Sequence, residues 1–170
     1  MQITRPEWIK ISSAFINASM GNIFNEDFKD FIRALNSADV EYILVGGYSV
    51  ILHGYARTTG DMDIWVNRTR ENYFKLIKAF EEFRMPVFDM TEENFLLHNE
   101  WDVFRFGREP HRIDIMVQVK GLDFKKSLAK SKTYTIEKVK IRTVALKDLI
   151  QSKKAAGRFK DLDDIEQLTK

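Results

Sequence analysis

Four apolar residues, Tyr42-Ile43-Leu44-Val45, run directly into Gly46-Gly47, and the next apolar stretch opens on Asp61-Met62-Asp63. A short apolar run closed by two glycines reads as a buried strand entering a tight turn. The Asp-x-Asp triplet constrains the chain further, because residues i and i+2 of a strand share a face. Asp61 and Asp63 are thereby held side by side, while Met62, Ile64 and Val66 complicate a simple alternation. Two like charges held this close in an apolar strand call for a cation. Asp114, framed by Arg112-Ile113 and Ile115-Met116-Val117, is another acid inside an apolar strand, which a neighbouring strand can bring beside the pair. Hard carboxylate oxygens suit Mg²⁺ or Mn²⁺ rather than zinc.

The rest of the chain alternates helical and extended patterns. Pro6 to Met20 reads as a first helix, and Asn25 as the cap of a second that repeats Phe28, Phe31, Ile32 and Leu35 at helical spacing. Tyr48 to His53 forms a short helix that Gly54 ends, and Asp61 to Val66 a second strand. Glu71 to Arg84 is a strongly amphipathic helix with Tyr73, Leu76, Ile77, Phe80 and Phe83 on one side. Trp101–Phe106 and His111–Val117 suit a hairpin around Gly107 and Pro110, and Thr133–Glu137 and Lys140–Val144 are shorter strands. Ala145–Ala156 and Leu162–Leu168 are closing helices broken at Gly157. Strands interleaved with helices, without repeats or linker, make one α/β domain over residues 1–170: N-terminal helices at 1–38, a core at 40–144 and closing helices at 145–170.

Composition narrows the function classes. The chain has no cysteine, which excludes disulfides, thiolate catalysis and Cys-based metal centres. Its 27 basic and 25 acidic side chains leave a net charge of +2, so a nucleic-acid partner is neither demanded nor excluded, and any basic site must be a local cluster. No apolar run approaches the roughly 20 residues that span a bilayer, and the first ten residues lack a signal-peptide core, so a cytoplasmic location without membrane attachment is expected. No Gly-Lys-Ser/Thr signature is present, which excludes a P-loop NTPase. Glycosyltransferases that use Asp-x-Asp need a longer nucleotide-binding unit upstream of the triplet than this chain has.

Gly46 and Gly47, between a strand and a helix, let the backbone approach a phosphate. The order Gly46-Gly47, Asp61-Met62-Asp63, Asp114 resembles the nucleotidyltransferase superfamily, whose pattern is a Gly-Gly or Gly-Ser turn, a paired Asp-x-Asp strand and a later single Asp. Gly46-Gly47 with His53-Gly54, Arg57, Thr59 and Asp61-Met62-Asp63 is similar, more narrowly, to small bacterial nucleotidyltransferase-like proteins. These include relatives of AbiEii- and MNT-type toxin–antitoxin transferases and of antibiotic nucleotidyltransferases. The tail from Leu149-Ile150 through Lys153-Lys154, Ala156-Gly157-Arg158, Lys160-Asp161 and Asp164-Ile165 is similar to that group's closing helices, so the resemblance spans about residues 40–168.

The resemblance implies an α/β (α+β) fold with a mixed sheet flanked by helices at both chain ends. It implies transfer of a nucleoside monophosphate from an NTP, ATP being the expected donor, to a hydroxyl of a small molecule, a protein or an RNA. Asp61 and Asp63 would carry two Mg²⁺ ions, and Asp114 would ligate one and serve as base. Gly46, Gly47 and Ser49 would contact the triphosphate, Arg57 and Thr59 the phosphates or substrate, and Lys153 or Lys154 the triphosphate from the closing helix. A non-catalytic nucleotide-binding member of a toxin–antitoxin-like pair, completed by a partner protein, is the alternative. Plainer readings stand beside these. Asp114 can pair with Arg112 or Arg105, Arg57 can bridge a nearby acid, and Lys153 and Lys154 can belong to a solvated face. Asp161, Asp163 and Asp164 read as helix N-terminal acids that can also neutralise Arg158 and Lys160, and His53, His98 and His111 as structural or surface residues.

Overall fold

The structure is a computed structural model that describes residues 24–108 and 111–170; the first helix expected at Pro6–Met20 lies outside them. Asn25 caps α1 (Glu26–Ser37) by accepting a 2.8 Å hydrogen bond from the Phe28 N–H, and Glu26 and Asp27 in the first turn complement the helix dipole. The chain continues through β1 (Tyr42–Val45), α2 (Gly46–Leu52), β2 (Met62–Val66) and α3 (Arg70–Phe83). It goes on through α4 (Glu92–Leu97), β3 (Val103–Phe106), β4 (Ile113–Met116) and α5 (Phe124–Lys130). The hairpin of β5 (Lys132–Ile136) and β6 (Val139–Thr143) and the helices α6 (Leu146–Ala156) and α7 (Phe159–Leu168) close it.

The six strands form one mixed sheet in the order β3-β4-β2-β1-β6-β5. β1–β2, β3–β4 and β5–β6 are antiparallel, whereas β2–β4 and β1–β6 are parallel. Strand alternation gives the sheet two unlike faces. Tyr42 and Leu44, Met62, Ile64 and Val66, and Ile113 and Ile115 point to the larger core, beneath α1 and α3. Ile43, Val45, Trp65 and Met116 point the other way, into a smaller core with Phe124 of α5 and Leu149 of α6. Met62, Ile64 and Val66 therefore do not disturb the alternation of β2. They are its buried side, and Asp61, Asp63 and Trp65 are its other side.

Local chemistry fixes the elements around the future site. Thr69 caps α3, and the buried Asn72 binds both the N–H and the C=O of Glu41, tying α3 to the start of β1. Gly157, in the left-handed region at φ +66°, ends α6. The Asp161 side chain then accepts the Arg158 N–H and opens α7 at Phe159, three residues before the start expected from apolar spacing. Two short helices, α4 and α5, fall where no helix is expected. Among the described residues no helix is long and apolar enough to cross a membrane.

Candidate active site

The acids gather where the smaller core gives out at one end of the sheet. In the parallel register of β2 and β4, Asp63 lies opposite Asp114, and in the antiparallel register of β1 and β2 it lies opposite Val45. Adjacent strands are about 4.8 Å apart, so Asp63 and Asp114 are neighbours on one face. Val45 runs into Gly46 at φ +71°, and a Cβ there would overlap the Asp63 carboxylate. Glycine is thus required twice over, by the backbone conformation and by the closeness of Asp63. A Cβ on Gly47 would strike the Thr59 hydroxyl, so the turn packs directly under the Arg57–Gly60 loop.

Arg112, just before β4, reaches across the acid row. Its Nη2 donates to Asp61 Oδ2 at 2.8 Å and to Asp114 Oδ2 at 3.3 Å, and its Nε donates to Asp114 Oδ1 at 2.9 Å. The Asp63 side chain makes no hydrogen bond or ion pair with any described residue. Burial, and then the charges of Asp114 and Asp61, push its carboxyl up to about 7, against the opposing pull of Lys160 and Arg112.

Facing the acids is a basic wall built on α6 and α7. Asp161 and Asp164, each 1% exposed, point inward and anchor it. Asp164 holds Arg57, with Nη2–Oδ2 at 3.1 Å, and Lys153 at 2.9 Å. Asp161 holds Lys153 at 3.3 Å and the Arg158 Nε at 2.7 Å. Burial works against the Asp161 charge, and the Arg158 and Lys153 partners overcome it, holding its carboxyl below the usual range. The side chains of Arg105, opposite Asp114 across β3 and β4, and of Lys160 make no hydrogen bond or ion pair with a described residue. Acids and wall enclose a cleft of about 490 Å³. A smaller recess of about 190 Å³ adjoins it past Gly46, Asp63 and Met116, floored by Val119, Leu149 and Ala156.

The sequence profile of a family described as "nucleotidyltransferase of unknown function (DUF6036)" matches residues 26–169. The chain belongs to this family. A crystal structure of a candidate nucleotidyltransferase from Thermotoga maritima (TM1012) superposes with a TM-score of 0.53 at 13% identity, covering 99% of this chain and 96% of that one. That likeness supports the nucleotidyltransferase fold. No curated protein matches the chain.

The cleft gathers most of the residues singled out from the sequence. Gly46, Gly47, Arg57, Thr59, Asp61, Asp63, Asp114 and Lys153 all line it. Ser49 does not: it is fully buried and donates to the Gly46 carbonyl at 2.6 Å, so its hydroxyl is spent inside α2. Lys154 is exposed and lines no part of the cleft. His53, His98 and His111 also stay out of it, bonded to Val144, Glu93 and Asn25 respectively. Sequence reading passes over Arg105, Arg158 and Lys160 as site residues; it pairs the acids of α7 with Arg158 and Lys160, but does not place Asp161 and Asp164 as the anchors of Lys153 and Arg57. Their signal is the i, i+3 spacing of Asp161 and Asp164, which puts two acids on one helix face beside a lysine and two arginines.

The donor set fits a hard divalent cation. Among the described residues no three His, Cys, Asp or Glu side chains converge as a ready metal cluster. Mg²⁺ does not need one, since it is commonly held by one or two carboxylates together with substrate phosphates and water. Asp63 and Asp114, side by side on neighbouring strands, supply such a pair.

Proposed function

We propose that this nucleotidyltransferase-family protein moves a nucleoside monophosphate from an NTP, with ATP the expected donor, to a hydroxyl of an acceptor. The observation that carries the reading is the Asp63–Asp114 pair facing a pre-formed basic wall across one cleft. In this reading the basic side chains receive the triphosphate. Arg105 and Lys160 have no ion pair with a described residue to break when they do so, and Arg57, Lys153 and Arg158 are held in place by Asp161 and Asp164. Pre-positioned charges of this kind stabilise a transition state without reorganising during the reaction.

Asp63 and Asp114 would hold Mg²⁺ or Mn²⁺, which supplies charge neutralisation at the phosphates and lowers the pKa of a bound hydroxyl. The acceptor oxygen attacks the α-phosphorus and its proton passes to the carboxylate row. The bond from the α-phosphorus to the bridging oxygen breaks, and pyrophosphate leaves toward the wall. The recess floored by Val119, Leu149 and Ala156 adjoins Asp63 and is bordered by Lys153 and Arg158 of the wall, and its apolar floor is suited to the less charged part of a substrate.

Incubation with NTPs labelled on either the α- or the γ-phosphate, in a bacterial extract as acceptor source, tests the reaction type. Nucleotidyl transfer puts α-label but no γ-label into a product, and Asp63→Asn abolishes it. Transfer of γ-label would instead make the protein a kinase and refute the reading.

A further inference from the structure

The cleft begins at Gly46, just past the end of β1, whereas Tyr42, the first residue of β1, lines a separate cavity of about 420 Å³. β1 and β6 are in register at Leu44 and Thr143. Nearer their starts, side chains stand between the two strands. The Asn36 amide donates to the Lys140 carbonyl at 2.8 Å, and the Tyr42 hydroxyl donates to Asn36 Oδ1 at 2.8 Å and accepts the Arg142 N–H at 3.4 Å. The cavity opens there, between the end of α1, the start of β1 and the β5–β6 hairpin, over the buried Val40 and Val139.

Four cations line it, Arg33 from α1 and Lys138, Lys140 and Arg142 from the hairpin, against one acid, Asp39. Asp39 is turned to solvent, 3.6 Å from Lys75. Lys140 and Arg142 lie two apart on β6 and share a face with Thr133, the partner of Arg142 across the hairpin. Arg142 is half-buried, with its guanidinium 5.5 Å over the Tyr42 ring and a 3.4 Å hydrogen bond to the Tyr42 carbonyl. No carboxylate of a described residue pairs with Lys138, Lys140 or Arg142. Arg33 has only an exposed pair with Asp30, which holds it weakly. Lys138 comes from a two-residue turn in which Glu137 and Lys138 have φ of 48° and 69°, positions that usually take asparagine or glycine. Such strain persists where the surroundings enforce it, and here Glu137 is tied to the buried Lys29 of α1.

We propose that this cavity is a second ligand site, separate from the cleft, for a small phosphorylated molecule. Arg142, Lys140 and Lys138 receive the phosphate, with Arg33 and the Thr133 hydroxyl at its margin. The guanidinium fork matches phosphate oxygens in pairs, and the two ammonium groups add point charges. The volume is in the range of small-molecule sites, about 300–1,000 Å³, and exceeds what a lone inorganic ion fills. Val40 and Val139 give the uncharged part of the molecule an apolar floor, and the cations ring a concavity instead of tracking a strand of nucleic acid across the surface.

The test follows the backbone amide resonances of the ¹⁵N-labelled chain in metal-free buffer during titration with AMP, inorganic pyrophosphate, citrate or an oligothymidylate. AMP or pyrophosphate is expected to shift the amides of Asn36 and Lys138–Arg142 saturably, with a Kd on the order of 1 mM or tighter. Lys138→Gln/Lys140→Gln is expected to weaken that binding about tenfold or more, the loss of a charge-assisted hydrogen bond. Shifts confined to the cleft, or citrate binding as tightly as the phosphates, would overturn the inference. So would binding of the oligothymidylate alone, which would make the hairpin a nucleic-acid surface. If the double variant does not fold, the shifts in the natural chain decide the matter by themselves.

Discussion

Asp63 is the residue on which the site's electrostatics turn. Its carboxyl is raised to about 7 by burial and by Asp114 and Asp61, from 3.8 in the absence of these neighbours. Between about pH 4 and pH 7 the folded chain therefore holds a proton at Asp63 that the unfolded chain has released, and stability from this group falls as pH rises through that window. Asp63→Asn removes the penalty. In metal-free buffer the variant is expected to melt close to the natural chain at pH 4 and above it at pH 8, by a stabilisation of a few kcal/mol. An offset that is the same at both pH values would contradict the assignment. The same residue shows how far sequence reading reaches. Its face follows from strand periodicity alone, but its solitude does not, because Arg112 passes it by to bridge Asp61 and Asp114. Ser49 shows the reverse case. A hydroxyl three residues after a glycine turn reads as a phosphate ligand, yet inside a helix it bonds back to the Gly46 carbonyl, a common alternative for serine.

At the scale of elements, α6 and α7 act as a charged clasp rather than as a cover. Lys153 and Asp164 are buried and bonded, so Asp164→Ala strands Arg57 and leaves Lys153 with Asp161 alone, and is expected to cost about 3–5 kcal/mol of stability, read from urea unfolding. Lys160 is exposed and bonded to no described residue, so Lys160→Ala is expected to leave stability within about 0.5 kcal/mol while weakening NTP binding in a titration. If both variants lost stability equally, the division into anchors and free contacts would be wrong. The closing helices are legible because Gly157 and the apolar spacing mark them, but the start of α7 depends on the Asp161 cap rather than on apolar residues. α4 and α5 escape periodicity altogether: with six and seven residues they span too few turns to repeat an apolar position. β3 begins at Val103 rather than Trp101, because its pairing with β4 starts at Val103 opposite Met116.

At the scale of the whole molecule, one α/β domain and the order of its main elements follow from alternation and glycine punctuation, and the mixed sheet is what the family resemblance implies. The placement of β4 against β2 does not, since parallel pairing joins segments far apart in the chain and leaves no local mark. The site inherits that division. The three acids are visible in the sequence, whereas the basic wall exists only once the C-terminal helices fold back across the sheet. The near-zero net charge conceals it, because Arg57, Arg105, Lys153, Arg158 and Lys160 are scattered along the chain and gathered by the fold. The central claim is that this cleft binds an NTP through a divalent cation on Asp63 and Asp114. A thermal-shift panel of ATP, CTP, GTP and UTP, each with and without Mg²⁺, on the natural chain and on Asp63→Asn, tests it most directly. A ligand at a hundred times its Kd stabilises the folded state by about 2.7 kcal/mol. The expected result is a rise in Tm with at least one NTP that requires Mg²⁺ and disappears in Asp63→Asn. No rise with any NTP, or a rise that is independent of Mg²⁺ and unchanged in Asp63→Asn, would contradict it.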